Sequence, residues 1–145
     1  MILLFSIPGG AETFFLLIII WLIAMVAYLL MLRQLLKTIS PGNRLVSPNV
    51  VWIVLFPLYA FFLHFALVFT LSASVRKEAN ERQLPISQQY PGLLEGSLMC
   101  MFNGFQLIHS YWLLSTTGFV VCWIIYWIRM NSYLNLFTRE RPAES

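Results

Sequence analysis

Aspartate is missing from this chain altogether, and charged residues of every kind make up only 10% of its 145 positions. Soluble domains carry about a quarter. A chain this poor in charge belongs in a bilayer. The missing aspartate also leaves no acid of that kind to orient a catalytic histidine. No serine stands in a Gly-x-Ser-x-Gly elbow, and the HExxH, P-loop and dinucleotide fingerprints are lacking as well. Nucleophilic catalysis therefore finds no support, and the sequence reads as non-enzymatic, with no catalytic residues. Cysteine and histidine are scarce, at two each. Cys100 and Cys122 lie inside apolar segments, as small buried hydrophobes and not as a disulfide framework or a metal pair. The net charge of +3 is modest and its cations are not interleaved with aromatics, so nucleic acid is excluded as a partner.

What is abundant is apolar surface, at 59% of residues. At about 20 residues per crossing the length leaves room for little beyond four spans and their connections. Met1 to Pro8 is too short to cross and lies at the interface, cut off by Pro8, Gly9 and Gly10. No basic leader precedes it and no small-x-small pattern follows the first long run, so a retained anchor is expected, not a cleaved signal. Thr13 to Leu32 is the first span, followed by Arg33 and Lys37. Thr38 to Ser47 is a loop, punctuated by Ser-Pro-Gly-Asn. Ser47 and Pro48 open the second span, which covers 50–71, with Pro57 predicted to bend it. The helix can run on into water as far as Gln83, because Glu78 and Arg82 stand four apart in the favoured order.

The third span, 93–114, is the most informative. Glu95, Met99, Asn103, Gln106, His109 and Ser110 fall within a stripe of roughly 120° on a helix. Leu94, Leu98, Met101, Phe105, Ile108 and Trp112 occupy the opposite side, which suits lipid. Polar groups in a span need partners that lipid does not offer, so the stripe is either interhelical glue or a surface for another membrane protein. A short turn, Ser115 to Gly118, then makes the third span and the fourth, 119–136, an antiparallel hairpin. Trp123, Tyr126, Trp127 and Tyr133 gather beside Arg129 as an interfacial belt would.

His64 and His109 invite a haem between them, but depth opposes it. Their heights differ by about 13 Å, whereas two axial nitrogens stand about 4 Å apart. Either alone could ligate a pigment, haem or metal brought by a partner, or serve simply as glue; no resident cofactor and no metal site is predicted. Counting Lys and Arg beside alternating spans gives Arg76, Lys77, Arg82, Arg129, Arg139 and Arg141 on one side against Arg33, Lys37 and Arg44 on the other. Both termini are then cytoplasmic.

The run SPNVVWIVLFPLYAFFLHFALVFTLSASVRKE, together with VCWIIYWIRMNSYLNLF, resembles a group of small bacterial four-span inner-membrane proteins with no assigned activity. The pieces that carry the likeness are Ser47-Pro48, Trp52, Pro57, Leu71-Ser72 and Cys122 to Trp127. Members of that group tend to carry amides where this chain has Ala60 and His64. The resemblance implies a bacterial inner membrane and supplies no site residues. The expectation is thus an all-α, four-helix transmembrane bundle forming one membrane domain over 1–145. It would act as an accessory or assembly subunit of a larger membrane complex, respiratory or photosynthetic, docking through the polar face of the third span. A small self-associating transporter or channel is the alternative.

Overall fold

The computed structural model describes residues 10–55, 60–86, 88–106 and 111–140. Among them the chain is entirely helical: α1 (Gly10–Thr38), a 3₁₀ helix (Pro48–Leu55), α2 (Ala60–Glu81), α3 (Leu93–Phe105) and α4 (Trp112–Arg139). Two of these helices are long and apolar enough to cross a bilayer. They are Ala11–Thr38, at mean hydropathy 2.9, and Trp112–Arg139, at 1.5. The chain separates into two units, Met1–Leu30 and Met31–Ser145.

The first unit holds most of α1, an uninterrupted apolar helix without glycine or proline after its first residue. From Phe15 to Ile23 every residue is exposed, so no one face of this length is set apart as a core face. In the second unit α1 ends with Met31, Leu32, Leu35 and Leu36 buried. The Thr38 hydroxyl closes the helix by donating to the Leu35 carbonyl at 2.8 Å. Ser40 to Arg44 then forms the turn foreseen from Ser-Pro-Gly-Asn, with the Asn43 amide donating to the Ser40 carbonyl at 3.0 Å.

The second predicted span is not one rod. Residues 48–55 form the 3₁₀ helix, α2 starts afresh at Ala60, and the expected bend at Pro57 lies outside the described residues. The Leu45 amide donates to the Ser74 hydroxyl at 3.0 Å. Ser74 is 14 residues into α2, a rise of about 21 Å. Leu45 and Ser74 therefore lie at one level, and the start of α2 at Ala60 is a full 14-residue rise away from it.

The α3–α4 pair is an antiparallel hairpin, as the sequence suggests, but its connection falls earlier. Ser115 to Gly118 lies inside α4, which begins at Trp112, while α3 ends at Phe105 and residues 107–110 lie outside the described residues. The small polar residues that look like a turn are absorbed by hydrogen bonding: the Ser115 hydroxyl donates to the Phe102 carbonyl and Thr117 to the Leu113 carbonyl, the latter at 2.9 Å. Side-chain hydroxyls bonded to carbonyls let Ser and Thr sit within membrane helices.

Close packing at the other end of the hairpin depends on two glycines. Gly92, preceding α3, has φ 71°, a conformation open to glycine. A side chain at Gly96 would collide with Val68 of α2 and Tyr126 of α4, so its absence lets three helices meet. Tyr126 fills that junction and is fully buried, while Trp123 is nearly so. These two rings are packing residues, where a belt facing the interface was expected.

Candidate functional site

A charged junction is the most developed polar site among the described residues. It is built on the last turn of α2, where the 100° advance per residue puts Glu78 and Arg82 on one face. The pair was legible from the spacing; what surrounds it was not. The Glu78 side chain is wholly buried, and its carboxylate accepts from the Ser40 amide at 3.0 Å, the Ser40 hydroxyl at 2.9 Å and the Asn43 amide group at 2.8 Å. Arg82 completes the set, with Nε 2.8 Å and Nη2 2.6 Å from Glu78 Oε1. Asn43 also donates to Glu81.

Arg82 has further tasks. Nη1 donates to the Phe137 carbonyl and Nη2 to the Thr38 carbonyl, each at 3.0 Å. The last carbonyls of a helix lack intrahelical partners and carry partial negative charge, so a guanidinium is well suited to them. One cation thus caps α1 and α4 together, and its Cζ lies 5.4 Å from the centre of the Phe137 ring. Burial by itself would push the Glu78 carboxyl up, but the hydrogen bonds from Asn43, Ser40 and Arg82 outweigh it and hold it below the ordinary range. With its lone pairs occupied by donors, this carboxylate is placed to hold helix ends together and not to shuttle protons.

This junction also overturns the orientation expected from alternating spans. That topology separates Thr38 from Arg82 and Phe137 by a bilayer thickness, about 30 Å. A single guanidinium touches both carbonyls. The ends of α1, α2 and α4 accordingly lie at one level.

Of the predicted stripe, the structure turns part toward the chain itself. Glu95 Oε1 pairs with Arg129 Nη1 of α4 at 2.7 Å, and the two side chains are 14% and 32% exposed. Met99 is buried, while Asn103 and Gln106 are half-buried. His109 and Ser110 lie outside the described residues. The opposite face is exposed at Leu94, Leu98, Met101 and Phe105, as the helical wheel predicts, while Ile108 lies outside the described residues and Trp112 belongs to α4.

His64, the second candidate ligand, is buried at 4% exposure on α2 and has an interaction partner within the protein. Any cofactor reaching it would have to displace packed side chains. Among the described residues no group of three His, Cys, Asp or Glu comes together to hold a metal. Cys100 is buried and Cys122 half-buried, and both are free thiols. No protein-family model, no curated protein and no solved structure matches this chain.

Proposed function

We propose that this chain is a non-enzymatic inner-membrane protein that serves as an accessory or assembly subunit of a larger membrane complex. The observation that carries this reading is the bare length of α1, exposed at every residue from Phe15 to Ile23. Between membrane helices there is no water-driven hydrophobic force, so such a rod is held in place by close packing against other helices or is coated by lipid. The polar groups of α3 are partly used within the chain, with Glu95 given to Arg129. Docking through the apolar α1 surface fits this division better than docking through the whole stripe.

Orientation follows from the cations. Arg33, Lys37, Arg44, Arg76, Lys77, Arg82, Arg129 and Arg139, eight of the nine Lys and Arg, lie on segments that converge on the Glu78 junction. Lys and Arg accumulate on the cytoplasmic side. In our reading the junction is cytoplasmic, so the C-terminal ends of α1, α2 and α4 lie at that face.

Purification in mild detergent, with photo-cross-linkers at Ile20 and Ile23, tests the accessory role. A stoichiometric larger membrane protein cross-linked at these positions is the expected result. A monodisperse monomer giving only lipid adducts overturns it. The channel alternative requires Glu95 on a shared path; its pairing with Arg129 within one chain favours the accessory reading.

A further inference from the structure

We propose that the groove between Pro85, Ile86 and Gln88 on one side and the C-terminal half of α4 on the other seats a phospholipid with an anionic headgroup. The proposal rests on the membrane reading above. The groove has a volume of about 720 Å³. Its lining changes character along the helix axis. Along α4, Ile125 and Ile128 give an apolar inner end, and Ser132, Asn135 and Arg139, with Leu136 among them, give a more polar outer one. The 14 residues from Ile125 to Arg139 rise about 21 Å. This gradient follows the long axis of an amphiphile lying parallel to α4, with an acyl chain on the isoleucines and its phosphate near Arg139.

The charges single out an anion at the outer end. Arg129, midway along, is engaged by Glu95 at 2.7 Å. Arg139 is exposed and makes no hydrogen bond or ion pair among the described residues, and the neighbouring Glu140 does not line the groove. A cation without a carboxylate among the described residues, one helical turn beyond the Asn135 amide, matches the donor needs of a phosphate. The apolar half gives a soluble phosphate nothing to gain. Basic pockets between membrane helices on the cytoplasmic side are suited to anionic headgroups for the same reasons.

The test uses the full chain. Flotation with phosphatidylcholine vesicles establishes that it enters a bilayer. The floated protein is then extracted in mild detergent with equal amounts of phosphatidylglycerol and phosphatidylcholine of identical acyl chains, and retained lipid is counted by native mass spectrometry. Wild type should keep one phosphatidylglycerol with a preference of about fivefold, and Arg139→Gln should bring the two lipids to parity. Lys37→Gln, which changes a cation outside the groove, should leave the preference in place, and excess glycerol 3-phosphate should not displace the lipid. Equal retention of both lipids by wild type overturns the proposal, as does an Arg139→Gln variant that keeps the preference. An equal loss in Lys37→Gln points to general surface charge and also overturns it. Displacement by glycerol 3-phosphate identifies a phosphate site in place of a lipid seat. A chain that does not float loses the membrane reading together with this one; a chain that floats without a preference loses only this one.

Discussion

The guanidinium of Arg82 lies 3.0 Å from the carbonyl oxygen of Thr38, forty-four residues earlier in the chain. With its other terminal nitrogen on Phe137 and its edge on Glu78, this one side chain brings three helix ends to a common level.

Removing the acid while leaving the cation should be costly. Glu78→Ala strips Arg82, Ser40 and Asn43 of their shared acceptor, and a loss of about 3 kcal/mol is expected, the magnitude for breaking a buried pair by one partner. Arg82→Lys keeps the charge but has no planar fork to reach Glu78, Thr38 and Phe137 at once, so it should recover little of the stability. Thermal unfolding in detergent, followed by helical circular dichroism, measures both. A melting temperature unchanged in Glu78→Ala would sink the clamp.

The same carboxylate gives the protein an acid limit. Its value is lowered in the folded chain from about 4.5. The unfolded chain therefore takes up the proton first as pH drops. Stability supplied by this group is complete above the ordinary value near 4.5 and is lost as pH falls through the lower folded value. Wild type should lose melting temperature in that acid window, and Glu78→Gln should lose distinctly less over the same interval. Identical acid profiles for the two proteins would show that other groups set the limit.

Sidedness can be read by thiol labelling. Nothing approaches within 4 Å of where a side chain at Gly42 would begin, so Gly42→Cys should be tolerated. Asn80 is exposed at the end of α2. Gly42→Cys and Asn80→Cys should both react with a membrane-impermeant maleimide only after the cytoplasmic face is opened. Labelling of the first from outside and the second from inside would restore four alternating crossings.

Helix approach at Gly96 should tolerate no bulk. Gly96→Leu drives a side chain into Val68 and Tyr126, with an expected loss of about 1–3 kcal/mol from overpacking. Gly42→Leu, in open space, should leave stability nearly unchanged. Equal unfolding curves for the two variants would refute close packing at the α2–α3–α4 junction.

Sequence patterns carried the helices but not the path between them. The apolar run of α1, the turn at Ser40 to Arg44 and the exposed apolar side of α3 follow from periodicity and turn chemistry, because each is decided within a few residues. The antiparallel relation of α3 and α4 was legible for the same reason. The position of their link was not, since Ser115 and Thr117 satisfy themselves on carbonyls inside a helix and so resemble turn residues without making a turn. Glu78 and Arg82 could be paired from spacing, but Thr38, Ser40, Asn43 and Phe137 come to them from distant parts of the chain. Counting cations on spans assumed to alternate put Thr38 and Arg82 on opposite sides, whereas a hydrogen bond joins them.

Phe137 also dictates an order of events during synthesis. Ser40, Asn43, Glu78 and Arg82 have all left the ribosome long before it, so the acid can be seated early. The guanidinium's last acceptor is made only when α4 is nearly finished. A nascent chain halted short of that residue would already hold the end of α1 against α2, through Thr38 and Ser40, but would leave α4 unlatched and the guanidinium one acceptor short.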